Sequence, residues 1–304
     1  MRGIMDPGKE GSVREEVGTD KLAFAGDPVD IGKLGITTDQ NKKWGIWSQG
    51  MIWRTKVDQP AGGISFNTDS YMVQAGVDRS FYKNGGRAVF GGLFGHAEST
   101  AKPQDTRSES DLYFGGLYGS YFSDKGWYAD LTGRLGHVSR DSSSDSNTIT
   151  GNYGGLFEGL ELTGGYRRDL EGGIFIEPEG ELIGGHLDGF DMVSADGARY
   201  KGSGVWTFMA SGSLRSGTVI NVNDLSITPY IKGGYLYSKS SSSNLTANEM
   251  VIPTSSTDGD YWLLGGGIGV EFKNHLGGYA EYGYMTGANI EQPYRVTIGA
   301  KYRW

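Results

Sequence analysis

The chain has no cysteine, so it builds neither a disulfide framework nor a cysteine-ligated metal site. It has only 8 prolines, and it has no excess of positive charge: 28 Lys and Arg stand against 36 Asp and Glu, for a net charge of −8. That balance excludes the basic footprint that phosphate binding needs, and with it a nucleic-acid partner. No run of 18 apolar residues occurs and the mean hydropathy is −0.41, which excludes helical membrane spans. A transmembrane barrel is not excluded, because it shows only alternate residues to lipid. Nor does a secretory signal peptide open the chain, since Met1 to Glu16 carries charges throughout and lacks an apolar centre. Its start, Met1 to Pro7, reads as a leader added by an expression vector.

What the chain does have is glycine, 52 in 304 residues against a usual ~7%, together with 12% aromatics. No collagen period organises the glycines. Residues 1–43 are polar and hold no tryptophan; interrupted by Gly18, Gly26, Pro28, Gly32 and Gly35, they allow at most a short helix around Val13–Phe24. From Trp44 onward, stretches of about ten residues rich in aromatics, Val, Ile and Gly alternate with Ser, Asp, Asn and Thr tracts.

The last stretch is the clearest. Tyr294, Val296, Ile298, Ala300, Tyr302 and Trp304 share one face, and Arg295, Thr297, Gly299, Lys301 and Arg303 the other. The same period of 2 runs through 173–184, 205–217, 225–238 and 262–272, and more weakly through 44–57, 70–82, 86–98, 111–123, 126–139, 155–169 and 275–287. That makes twelve strands. Residues 44–304 then leave about 22 residues per strand and connection, enough for a tilted membrane strand of ~9–11 residues plus alternating short turns and longer loops. Glu98–Ser110, Arg140–Asn152 and Ser238–Asp260 read as the long loops.

A soluble β-sandwich would show short alternating strands too. Two features favour the barrel: aromatics at strand ends (Trp127, Tyr128, Trp206, Tyr235, Tyr237, Trp262, Tyr282, Tyr284, Tyr302, Trp304), as in interfacial girdles, and an opposite face of glycine and charge rather than a second apolar layer. The expected fold is an all-β, twelve-stranded antiparallel transmembrane β-barrel.

The segment Thr297-Ile298-Gly299-Ala300-Lys301-Tyr302-Arg303-Trp304 resembles the C-terminal β-signal of bacterial outer-membrane proteins, with Thr297, Gly299, Tyr302 and Trp304 in its defining places and Trp304 where Phe is commoner. Residues 44–304 resemble the translocator domain of a type V autotransporter. The likeness is carried by Trp44-Gly45-Ile46-Trp47, by Gln74-Ala75-Gly76-Val77-Asp78, by Gly164-Gly165-Tyr166-Arg167 and by Phe175 to Leu182, where Glu179 replaces the common Gln. The resemblance implies residence in the bacterial outer membrane as a monomer, surrounded by lipid and lipopolysaccharide. It implies recognition of the last strand by the barrel-assembly machinery with periplasmic chaperones, and a linker within 1–43 that threads the pore toward an exported passenger. The alternative from another class is a self-contained barrel acting as pore or adhesin through its loops.

Alternation puts Glu177, Glu179 and Glu181 on one strand face, opposite Ile174, Ile176 and Leu182. In a barrel this is the pore-lining face, shared with Asp130, Arg134, Glu161, Arg167, Arg215, Lys232 and Glu271. The bland reading, charge pairing across the lumen, is favoured over acid chemistry on a scissile asparagine, because Asn41 is the only asparagine before the barrel. No enzyme centre, cofactor or metal site is expected. His96, His137, His186 and His275 lie near loops without a hydrolase motif, and His186-Leu187-Asp188-Gly189-Phe190-Asp191 reads as a turn.

Overall fold

The computed structural model describes residues 43–58, 65–83, 85–102, 106–144, 150–194, 197–241, 245–248, 250–252, 258–273 and 275–304. The expected helix at Val13–Phe24, the linker within 1–43 and Asn41 lie outside these residues.

Alternating sequence becomes strand because each strand has one face that must leave water and one that need not. Twelve long strands result: β1 Trp44–Val57, β2 Phe66–Lys83, β3 Gly86–Ala101, β4 Thr106–Ser123, β5 Trp127–Ser144, β6 Thr150–Tyr166, β7 Ile174–Leu187, β8 Val205–Thr218, β9 Leu225–Ser240, β10 Gly259–Phe272, β11 Leu276–Gly287 and β12 Ile290–Arg303. Each pairs antiparallel with its sequence neighbours, and β12 returns to pair with β1, in one register from Gly45 with Arg303 to Arg54 with Tyr294 and, past an irregularity, on to Val57 with Ile290. The seam ends on a reciprocal pair: the Trp44 amide donates to the Trp304 carbonyl at 3.2 Å and the Trp304 amide to the Trp44 carbonyl at 3.0 Å. Closure leaves no unpaired edge, the condition for putting backbone amides into lipid.

The outward faces carry exposed apolar side chains throughout, among them Ile46, Ile52, Val73, Phe94, Leu117, Leu135, Leu160, Ile231, Leu264 and Ile298. Aromatic residues gather toward the strand ends, with Trp44, Trp127, Tyr302 and Trp304 at the end that holds both termini of the barrel, and Trp206, Tyr235 and Trp262 toward the other. None of this apolar surface would be tolerated in water at this extent, which is the physical signature of a lipid-facing band.

Two expectations are corrected. The inner face does hold a second apolar layer along β1 to β4, where Trp47, Met51, Trp53, Met72, Leu93 and Phe114 are buried together. Neighbouring rings also lie over inner glycine positions: a Cβ at Gly76 would sit 2.6 Å from the Trp47 ring, and one at Gly267 2.6 Å from the Tyr230 hydroxyl. Finally, the serine-rich tracts Glu98–Ser110 and Arg140–Asn152 are largely strand. β3 pairs with β4 as far as Ala101 with Ser108, and β5 with β6 as far as Ser143 with Thr150, so these hairpins extend past the apolar band.

The segment between β7 and β8 and the one between β9 and β10 together build a small sheet at the end away from the barrel's termini. Its strands, Phe190–Val193, Arg199–Gly202, Leu245–Ala247 and Met250–Ile252, pair in sequence order.

Candidate functional site

A barrel of this kind can act through its inner wall, so the site is built from the inward positions. On β7 these are Phe175, Glu177, Glu179 and Ile183; on β5, Tyr128, Asp130 and Arg134. Tyr128 is 7% exposed, so it belongs to the lumen and not to the outer girdle expected for it. Its hydroxyl oxygen lies 2.9 Å from Glu177 Oε1 and 2.7 Å from Glu179 Oε2, one phenol proton between two carboxylates. The same two acids meet cations from the next strands. Arg215 of β8 donates to Glu177, and Lys232 Nζ of β9 donates to Glu179 at 3.1 Å. Glu181 accepts from the Ser211 hydroxyl at 3.1 Å.

The belt continues around the wall. The Arg215 guanidinium lies 5.1 Å over the Tyr230 ring, Tyr230 Oη donates to Glu281 at 2.6 Å, and Arg295 of β12 stands 3.8 Å from Glu281. Between β5 and β6, Arg134 Nη1 donates to Glu161 Oε2 at 2.7 Å, with both side chains at most 5% exposed. Each ion pair joins charges that would otherwise be costly to bury, and desolvation makes the loss of one member worse than the loss of both.

A second cluster sits across the seam. Asp78 of β2 is 1% exposed and takes Tyr118 Oη at 3.0 Å, Lys301 Nζ at 3.3 Å and Arg303 Nη2 at 3.3 Å. Tyr118 in turn accepts from Trp47 Nε1 at 2.7 Å, and Arg303 also donates to Ser80. Beside it, Gln74 donates to Gln49 at 3.0 Å. Sequence reasoning set Lys301 and Arg303 on the correct side of their strand but missed their partner. Asp78 alternates with Val73 and Val77 in the same way, so its inward face was legible; the contact itself joins residues 223 and 225 positions apart and leaves no local trace.

Of the residues singled out as pore-lining, Asp130, Arg134, Glu161, Glu177, Glu179, Glu181, Arg215 and Lys232 stand on inward positions of β5 to β9. Glu271 is half-buried near the end of β10, opposite Ser226. Arg167 lies just past the end of β6, where it pairs with Asp169 at 3.0 Å and covers the ring of the inward Phe175 at 4.0 Å. In the terminal strand, Thr297 and Gly299 are buried and Tyr302 and Trp304 exposed, their rings stacked at 6.0 Å. His186 and Asp188 come within 3.9 Å, whereas Asp191 turns away to a two-pronged pair with Arg199 at 2.6 and 2.8 Å. Among the described residues no group of three His, Cys, Asp or Glu is placed to hold a metal ion.

The Autotransporter beta-domain family profile matches residues 46–283. Over 279 residues the chain is 26% identical to the pertactin autotransporter of Bordetella parapertussis, covering 90% of this chain and 30% of that protein. It is likewise 26% identical to the BrkA autotransporter of Bordetella pertussis, covering 90% of this chain and 27% of that one. The chain thus spans less than a third of these relatives' length. In structure it is similar to the β-domain of Bordetella BrkA, with a TM-score of 0.75 at 22% identity over 86% of this chain and all of that one. The translocator domain of NalP from Neisseria meningitidis superimposes with a TM-score of 0.69 at 14% identity, over 86% and 89% of the two chains.

Proposed function

Because the chain belongs to the autotransporter β-domain family and is an outer-membrane β-barrel, we propose that it anchors and exports a passenger joined to its N-terminal side. The observation that carries this reading is the closed twelve-stranded wall that starts at Trp44, directly after a polar stretch long enough to cross it. Crossing ~30 Å takes ~20 helical residues or about ten extended ones. The linker from passenger to barrel lies within residues 1–43 and passes through the lumen. The end holding Trp44 and Trp304 faces the periplasm, and the small sheet of Phe190–Val193 and its neighbours faces outward from the cell.

The barrel is a conduit and anchor rather than a catalyst. Supporting this, Glu177 and Glu179 are each engaged by Tyr128 and a cation, and Glu181 by Ser211, an arrangement suited to holding the wall together. A general acid or base would instead need a free face toward its substrate. Its partners are lipid and lipopolysaccharide around the apolar band, the barrel-assembly machinery and periplasmic chaperones during insertion, and the passenger itself.

The test is display. A signal peptide and an epitope-tagged passenger placed before residue 8 should make the tag accessible to antibody and to external protease on intact cells. A tag that stays protected until the outer membrane is broken, in cells where the barrel is folded, overturns the reading.

A further inference from the structure

Lys301 and Arg303 have no role in the resemblance that marks this segment as an assembly signal, yet both cations stand on the inward face of the last strand, about 4% exposed or less. They do not pair with the strand beside them. In the row across the seam, Arg303 of β12 is opposite Gly45 of β1, and Gly45 is opposite Asp78 of β2. Gly45 offers no side chain; a Cβ there would lie 2.8 Å from Asp78 Oδ1. Arg303 therefore reaches over β1 to Asp78. One row further in, Lys301 is opposite Trp47, and Trp47 opposite Gly76. Trp47 lies over Gly76 and hydrogen-bonds Tyr118, which holds the second oxygen of Asp78, and Lys301 meets that same oxygen.

We propose that Asp78, Lys301 and Arg303 form an ionic latch across the closing seam that fixes the register in which the last strand joins the first. Side chains alternate along a strand, so the only slips that keep apolar residues outward are by two positions. If β12 slips so that Gly45 meets Lys301, then Gly299 takes the place of Lys301 and Arg303 passes beyond the start of β1. If it slips the other way, Arg303 falls opposite Trp47 and Lys301 opposite Gln49. Only the native register brings two cations to one carboxylate over a bare glycine. The outward residues of β12 are of little help here, since Ile298, Ala300, Tyr302 and Trp304 would face lipid after either slip. A buried carboxylate left with fewer partners is strongly unfavourable, and that is what discriminates. The latch spans three strands, so it forms only once the barrel has closed.

Since the chain has no cysteine, register can be read by cross-linking. Ser48 is opposite Ala300 in the native register and would be opposite Ile298 after the first slip. In the full chain expressed in cells, Ser48→Cys with Ala300→Cys should cross-link on mild oxidation, and Ser48→Cys with Ile298→Cys should not. Adding Lys301→Gln and Arg303→Gln should convert this single register into a mixture in which the 48–298 product becomes plain. If the doubly substituted barrel folds and forms only the 48–300 product, the proposal is overturned. Should the barrel carrying both Lys301→Gln and Arg303→Gln fail to accumulate folded, Asp78→Asn must restore it, because the unmatched carboxylate is then gone. Absence of that rescue, with the losses simply adding, overturns the proposal equally.

Discussion

The ring of Tyr279 on β11 lies directly over Gly299 on β12, so closely that a Cβ at 299 would overlap it. Gly299 holds one of the defining places in the terminal segment's resemblance to a β-signal, and this contact gives its small size a physical cause within the folded barrel. Gly299→Val should destabilise the barrel by ~1–3 kcal/mol through overpacking. Heat-dependent gel mobility would show it as a lower unfolding temperature. Truncating the ring with Tyr279→Ala should recover part of the loss, and equal stability of Gly299→Val and the parent would count against the packing account.

Arg134 and Glu161 supply a second measurement. Removing one member of a buried pair leaves an uncompensated charge and costs ~3–5 kcal/mol, whereas replacing both with apolar residues of similar volume is often close to neutral. Arg134→Met should therefore lower the denaturant midpoint of the detergent-folded barrel much more than Arg134→Met with Glu161→Leu. If the double variant is the less stable of the two, the pair contributes through specific geometry rather than charge matching.

Much of this fold is legible in the residue pattern, and the failures have definite causes. The unbroken alternation from Tyr294 to Trp304 determines both the strand and its faces, as does the run from Trp262 to Phe272, because lipid and lumen demand different residues at every step. Where both faces are apolar the signal fades. On β1, Trp47, Met51 and Trp53 point inward while Ile46 and Ile52 point outward, so an inner apolar layer is hidden behind an apolar outer one. The same logic corrects Tyr128. It follows Trp127 directly, and adjacent strand residues cannot share a face, so one of the two aromatics had to enter the lumen. The extensions of β3 to β6 escaped for the opposite reason: beyond the membrane, Thr106–Asp111 and Ser139–Ser144 have no apolar face to betray a strand. The small sheet escaped because its strands are three or four residues long and come from two distant segments.

That small sheet is the place for a pH prediction. Asp191 and Arg199 join its first two strands, and the hydrogen bonds from the Arg199 guanidinium hold the Asp191 carboxyl below the ordinary carboxylate range, with the charge of Lys201 adding to the effect. A carboxyl depressed in the folded state contributes stability that is complete above its unfolded pKa, ~3.9. That contribution is lost as the pH falls through the folded value. Amide protection in residues 190–194 and 197–202, corrected for intrinsic exchange rates, should be flat from neutral pH down to about 4 and decline below that. Asp191→Asn should give weaker protection at neutral pH and remove the decline. An unchanged acid profile in that variant would place the sensitivity elsewhere.

Trp304 closes the seam through its backbone and anchors it through its ring, and the two contributions can be separated. Its amide and carbonyl complete the last reciprocal pair with Trp44, and its exposed ring stacks on Tyr302 at the girdle. Trp304→Phe keeps the backbone pair and an aromatic at the interface, so it should assemble at near-parent levels. Trp304→Ser keeps the pair but loses the ring, and should lower the amount of heat-modifiable barrel in the outer membrane. Deleting Trp304 removes both, leaving the Trp44 amide and carbonyl without their strand partners, and should lower it further. The order parent, Phe, Ser, deletion follows from the geometry. If the deletion assembles as well as Trp304→Ser, the terminal backbone pair adds nothing and the ring alone is responsible.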